Sequence, residues 1–326
     1  MSSPGLWELV WTKAGEGPPT LRRPAAYLLL LVTVLVLGVN WPLLSIGVRD
    51  IPSIWLAAMR LAGGAVIVLA ATAFTGRLRP PPRSDLPVLW SVSLLRLVIV
   101  LVLVFTALRI VPPGRSSVLA WTASLWTVPL AAMFLGERMT RLRTAGLLLG
   151  ITGIVFLFEP WSFAWSDPRV LGGHLMLLAA AMSNAGAAVH IRRHSWTSSP
   201  LEMLPWQLLV ATLPVMVLAL AVEGLPHITW TASLVAIVVY QGLGATAFAV
   251  WAQTTVLRSM PAISTNLTLM MIPVVGLAAS ALLVDEEITV ALLAGMALIF
   301  AGVGLNLLTD RRTRSSPKEP HPMAGS

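Results

Sequence analysis

Apolar runs long enough to cross a bilayer, each closed by proline, glycine or arginine, recur along almost the whole chain. They predict helices at about 26–48, 54–74, 86–108, 113–135 and 144–158, then a second set at about 171–191, 204–222, 233–257, 263–284 and 290–308. A hydrocarbon core about 30 Å thick takes roughly 20 apolar residues per helix. Ten such spans use most of the 326 residues and leave two polar tails (1–25 and 309–326), a linker (159–170) and short loops. No sizeable aqueous domain fits in that remainder, so function has to lie within the helical bundle.

Composition and charge sharpen this picture. Only 11% of residues are charged and 56% are apolar, with a mean hydropathy of +0.82; a soluble domain carries about 25% charged residues. The formal charge of +8 and pI near 11.3 do not point to nucleic acid, because the basic residues flank apolar runs instead of forming one patch. With the N-terminus in the cytoplasm, sixteen Lys and Arg residues fall inside, including Lys13, Arg77, Arg138, Arg192, Arg193, Arg258 and Lys318. Only Arg49, Arg109, Arg115 and Arg169 fall outside. An extra or missing span would scramble that bias, so both termini are expected in the cytoplasm. Trp55, Trp90, Trp161, Trp196, Trp206 and Trp230 sit near predicted span ends, where amphipathic rings favour the headgroup region. The first apolar run follows its polar leader without a small-residue cleavage site and is expected to be a retained helix. With no cysteine in the chain, disulfides, thiolate metal sites and cysteine nucleophiles are excluded.

Sliding the chain against itself by 149 residues aligns the ends of its two halves without a gap. Leu108, Arg109 and Pro112 meet Leu257, Arg258 and Pro261, and Glu137 and Thr140 meet Glu286 and Thr289. Ala145, Gly146, Leu149 and Gly153 meet Ala294, Gly295, Leu298 and Gly302. A five-helix unit is duplicated, and because five is odd the second copy enters the membrane from the opposite side. The expected fold is therefore an all-α integral membrane protein of ten transmembrane helices, built as two inverted five-helix repeats at 26–158 and 171–308. Inverted repeats are a recurrent device of secondary transporters, since two exchangeable halves supply inward-open and outward-open states around one site.

The sequence resembles the drug/metabolite transporter superfamily, specifically its EamA-type ten-helix members. The resemblance is carried by Asn40-Trp41-Pro42 in the first helix, Arg60 early in the second, and Ala107-Leu108-Arg109 into Pro112. Pro129, the Leu135-Gly136-Glu137-Arg138 turn and the glycine-bearing fifth helix add to it. In the second half Asp285-Glu286 replaces the Gly-Glu turn. The resemblance implies a carrier fold. It leaves the substrate open among amino acids, other metabolites, nucleotide-linked sugars and toxic compounds.

Polar side chains are costly in hydrocarbon and tend to face a bundle interior or a wet cavity. Ser117, Trp121 and Ser124 share one face of the fourth span, and the 149-residue shift carries them onto Asn266, Met270 and Pro273. Asn40, beside Trp41, and Asn184 fall near mid-membrane, where each either bonds a neighbouring helix or touches substrate. Tyr240 and Gln241 lie on or beside an aromatic face with Phe248 and Trp251, which either lines a pocket or packs. Arg96 falls about ten residues into its span, so at 1.5 Å per residue it starts roughly 15 Å deep. It either attracts an anionic group such as a carboxylate or snorkels. Arg60 is read as snorkelling or making a structural contact, His190 as a helix C-terminal cap and Gln207 as interfacial. Pro42, Pro129 and Pro273 are candidate hinges, and Gly146 and Gly295 are seams for close helix packing.

All fourteen carboxylates fall in tails, loops or span ends, which disfavours a cation/proton exchanger needing a buried acid. A Walker A sequence is absent, as are HExxH, GxSxG and paired intramembrane aspartates, so ATP hydrolysis and intramembrane enzyme chemistry are unsupported. No cofactor or metal is expected. The reading is a secondary transporter in a bacterial plasma (inner) membrane that moves a small organic metabolite by alternating access, with export of an amino acid or related compound leading. Drug efflux or proton-coupled antiport by the same fold is the alternative. Expected partners are the small-molecule substrate and the lipid bilayer, with no nucleic acid, and the chain is a monomer or a homodimer.

Overall fold

The computed structural model describes residues 21–315 apart from 77, 138, 159–167, 195–196, 260–264 and 266–267. Asn266, Trp161, Trp196, Arg77, Arg138, Pro261 and the outer parts of both tails, with Lys13 and Lys318, therefore lie outside the described residues. So do the side chains of Leu257, Arg258 and the arginines beyond residue 305.

The elements of the described residues are helices. Seven stretches are long and apolar enough to cross a membrane: α1 (Arg23–Asp50), α2 (Ser53–Phe74), α3 (Arg83–Ala107), α4 (Pro113–Leu135), α6 (Pro168–Arg193), α7 (Pro200–Glu223) and α8 (Ala232–Val256). Between and after them come α5 (Arg141–Phe158), the shorter α9 (Ile272–Leu283) and α10 (Val290–Ser315). The chain is a multi-pass, all-helical membrane protein. Many large apolar side chains on the outside, such as Phe74, Leu148, Leu213 and Leu282, remain exposed. That pattern suits a bundle solvated by lipid, where exposed leucine costs nothing.

Side chains or backbone from elsewhere hold several helix ends. Ser199 and Glu202 form a reciprocal capping box at the start of α7, so that helix begins at Pro200, ahead of the expected 204. Glu223, at the end of α7, accepts from the backbone N–H groups of Ile54 and Trp55 and caps α2. Trp55 and Trp206 donate their indole N–H groups to the carbonyls of Gly224 and Arg79, at 2.7 Å each, as expected of rings at span ends. Gln207, next to Trp206, is buried against protein, and its backbone carbonyl accepts from Ser93 at 3.1 Å.

The two halves of the chain pack across each other. α5 lies along α10, α2 along α7, α1 against α8 and α9, and α6 against α3 and α4. Exchanging α1–α5 for α6–α10 turns this list of pairs into itself. The α5–α10 seam shows the same property at single residues. A Cβ placed on Gly153 would fall 2.6 Å from the carbonyl oxygen of Gly295, and one on Gly295 would fall 2.8 Å from that of Gly153. The corresponding pair under the 149-residue shift, Gly302 and Gly146, is in backbone contact as well. Without a hydrophobic drive between helices in lipid, such close approach supplies the packing contact.

Helical regularity breaks at matching places. Val92–Ile99 of α3 and Tyr240–Phe248 of α8 are π-helical, and the 149-residue shift overlays them. α4 is interrupted at Thr122, and the chain before α9 makes a turn at Met270–Met271, again the same position under the shift. Gly136 ends α4 with φ +67°, and its counterpart Asp285 follows α9 with φ +55°.

Candidate functional site

π-helical turns and helix breaks leave carbonyls that regular i to i−4 bonding would have used, and within a membrane something must satisfy them. In α3 the freed carbonyl of Leu95 accepts from Ser183 of α6 at 2.8 Å. In α8 the carbonyl of Ala245 accepts from the Arg60 guanidinium at 3.2 Å, and Thr246 bonds back to Gln241 at 2.8 Å. Arg60 also donates to Gln241 Oε1 at 3.0 Å and to Thr246 Oγ1 at 3.1 Å. Its contact is therefore structural: among the described residues it bonds three neutral acceptors and no carboxylate balances its charge.

The π-helical turn of α3 and the breaks at Thr122 and Met270–Met271 border a cavity of about 410 Å³. Asn40 and Trp41 of α1, Arg60 of α2, Arg96 of α3, Trp121 and Ser124 of α4, Asn184 of α6 and Gln253 of α8 contribute its polar and aromatic wall. Lining positions come from both halves in corresponding pairs: Ala120 with Leu269, Ala123 with Ile272, Val104 with Gln253. A larger cleft of about 800 Å³ lies where α1, α3 and α9 end, lined by Arg49, Arg109, Arg115 and Asp285–Glu287 among others. Its charges are mixed and belong to helix ends and loops, so the smaller cavity, with arginines from helix interiors, is the stronger candidate for a solute site.

Arg96 sits in the π-helical turn of α3, surrounded by protein atoms and yet accessible, which a cavity-facing side chain explains. Nothing among the described residues pairs with it. Asn40 is 6% exposed, and its buried Oδ1 has no donor among the described residues. Pro42 lies one turn beyond Gly38 in α1 and cannot donate to that carbonyl, which loosens the helix beside Asn40 and Trp41.

The remaining expected residues lie elsewhere. Ser117 is buried and donates to the Gly114 carbonyl at 2.6 Å, next to Gly276. Tyr240 donates its hydroxyl to the Val36 carbonyl. Gln241 is fully buried beside Arg60, and its Nε2 has no partner among the described residues. Met270 packs against the hydrophobic core. Pro129 lies inside α4, and Pro273 opens α9. Phe248 and Trp251 form a tilted ring pair at 5.9 Å, and Trp251 is exposed. His190, in the last turn of α6, stacks on His194 at 4.0 Å. Sequence reasoning passed over Gln253, which has no partner motif in the first half because its counterpart is Val104.

Loop carboxylates form a second set of contacts. Glu286 accepts from the backbone N–H groups of Gly114 at 2.7 Å and Arg115 at 3.0 Å, capping α4. Burial pushes its carboxyl above the usual range, and the two N–H groups offset part of that. Its counterpart Glu137 pairs instead with Arg143 at 3.0 Å and with Arg192. Asp85 accepts from Ser198 and Thr197 and ties the start of α3 to the chain entering α7.

A multi-pass helical bundle with interwoven halves and a polar cavity between them is the architecture of a membrane carrier. Two stretches, 24–159 and 171–308, each match the EamA-like transporter family, and the chain belongs to that family. It is a membrane transporter. Among its relatives, an uncharacterized transporter of Bacillus subtilis, YoaV, is 26% identical over 87% of this chain and 97% of its own. A probable amino-acid metabolite efflux pump of Salmonella typhimurium is 28% identical over 91% of this chain and 99% of its own. A probable terminal-alkyne amino-acid exporter of Streptantibioticus cattleyicolor is 28% identical over 89% and 95%. One solved crystal structure superposes on 90% of this chain and 100% of its own with a TM-score of 0.59, at 23% identity, which speaks for the fold alone.

Proposed function

We propose that the protein is a secondary exporter of a small organic metabolite, an amino acid or a related compound, working by alternating access from a bacterial inner membrane. Ten spans form two inverted five-helix repeats with both termini in the cytoplasm. The observation that carries this reading is the cavity, drawn from corresponding positions of both halves. Two copies that can exchange conformations around one shared site supply the two access states. The exchangeable packing list and the matched helix breaks support the repeat, and the names of the exporter relatives support the direction and the class of cargo. With no carboxylate among the described lining residues, facilitated export or solute exchange suits the site better than proton-coupled extrusion of cations.

Counterflow in proteoliposomes, with labelled amino acids, sugars and drugs as probes, tests the transport reading. Saturable exchange with amino acids or with their N-acylated relatives, added to the probes, is expected, and no response from either overturns it. The inverted architecture has its own test, because the chain has no native cysteine. Met139→Cys and Ile288→Cys occupy counterpart positions and are both exposed. An impermeant thiol reagent should reach them from opposite sides of the membrane, and labelling from one side refutes the inversion.

A further inference from the structure

The reading of the cavity as the transport site leaves the charge of its cargo open, and the lining residues bear on it. We infer that the cargo is a net-anionic carboxylate, received by Arg96, whose nitrogen, where it has one, is uncharged. The inference rests on the transport reading for its biological sense and on the cavity alone for its chemistry.

Arg60 and Arg96 enter the same cavity from neighbouring helices, and no acidic side chain is among its described lining residues. The carboxylates with partners are committed at helix ends: Glu223 and Glu286 to backbone N–H groups, Asp85 to Thr197 and Ser198, Glu202 to its own capping box and Glu137 to two arginines. A guanidinium away from bulk water is costly unless it is paired. Arg60 is held in place by three neutral acceptors, so its positive charge acts on the cavity while its geometry is fixed. Arg96 holds nothing among the described residues, and its planar fork suits a carboxylate bidentately.

The same two charges repel an ammonium. A zwitterion gains at Arg96 what its amine loses to the pair, and a simple cation only loses. Trp41 and Trp121 offer apolar surface for the rest of the molecule. Their ring faces could also hold an ammonium, so the test has to let them do so.

Three probes share one aromatic side chain and differ in charge at neutral pH: N-acetylphenylalanine (anion), phenylalanine (zwitterion) and phenethylamine (cation). Binding to the purified full chain, read as concentration-dependent thermal stabilisation, should be at least tenfold tighter for the anion than for the zwitterion, with the cation weakest. Arg96→Gln should cost the anion at least tenfold and leave phenethylamine unchanged or better bound. Arg96→Lys should keep part of the preference. Because Arg96 has no partner to lose among the described residues, both variants should fold, and their unliganded melting temperatures check this. The inference is overturned by phenethylamine binding as well as the anion, by an anion that does not bind, or by an order that survives Arg96→Gln. Counterflow on the same samples separates the two readings. The expected binding order without flux removes the transporter and keeps the anion site, while saturable flux of the zwitterion or cation with the order reversed does the opposite.

Discussion

Asp285 shows what the second copy of the turn gave up at the level of one residue. Its φ of +55° lies in the left-handed region, where the first copy has Gly136 at φ +67°. A side chain there strains the backbone, by about 1 kcal/mol even for aspartate, which tolerates the region better than most residues. Asp285→Gly is therefore expected to raise the melting temperature, and Gly136→Ala to lower stability by about 1 kcal/mol. Thermal unfolding in detergent measures both. Glu286, next to it, predicts a pH dependence. Its carboxyl is raised above 4.5 by burial, so the folded state holds that proton more tightly than the unfolded chain does. Stability from this group is full below 4.5 and falls as pH rises through its elevated value. Glu286→Gln mimics the protonated form, so the melting temperature of the variant minus that of the native chain should grow with rising pH over that window. A difference flat in pH would refute the shift. The turn was legible in the sequence as the Gly-Glu and Asp-Glu pairs. That the second glutamate reaches across to cap α4 was not, because a helix-capping partner 172 positions away along the chain leaves no local pattern.

Among the elements, those set by a simple period or by hydropathy could be read directly, and those set by tertiary contact could not. Uninterrupted apolar runs foretold the long helices because burying backbone polar groups in lipid leaves few alternatives. The π-helical turns at Val92–Ile99 and Tyr240–Phe248 carry no composition of their own. They exist because Ser183 and Arg60, from other helices, satisfy the carbonyls they free. Arg96 was legible as an oddity at depth. Its role in the cavity wall became visible only once the π turn aimed it beside Asn40 and Asn184. The capping box at Ser199 and Glu202 was readable and would have moved the start of α7 outward. The helical spacing of Gly146 with Gly153 and of Gly295 with Gly302 suggested seams for close packing but not which helices meet there; α5 and α10 do, and the geometry gives a sharper expectation. Gly295→Val places a branched side chain where even a Cβ meets the Gly153 carbonyl oxygen at 2.8 Å. Parting the helices there should cost about 1–3 kcal/mol. A melting temperature unchanged by Gly295→Val would show that the seam carries no packing energy.

For the molecule as a whole, exchange of the two halves preserves the packing list but not the contacts at its ends. Glu286 sits on the N-terminus of α4, while Glu137, at the corresponding place, pairs with Arg143 and Arg192. A carrier of two interchangeable halves is expected to show this kind of asymmetry, since each access state treats its two ends differently. Holding one end in its present contact should then stop transport without touching the cavity. Arg115→Cys with Glu286→Cys joins the two segments that now meet at the Glu286 cap, and the absence of native cysteine makes the pair addressable. A short, reducible thiosulfonate crosslinker should bring counterflow to background, and reduction should restore it, while probe binding at the cavity persists in the crosslinked protein. Each single-cysteine variant treated in the same way should keep its flux. Crosslinked protein that exchanges solute at the uncrosslinked rate would mean that the α4 end does not move during transport, and alternating access through it would fall.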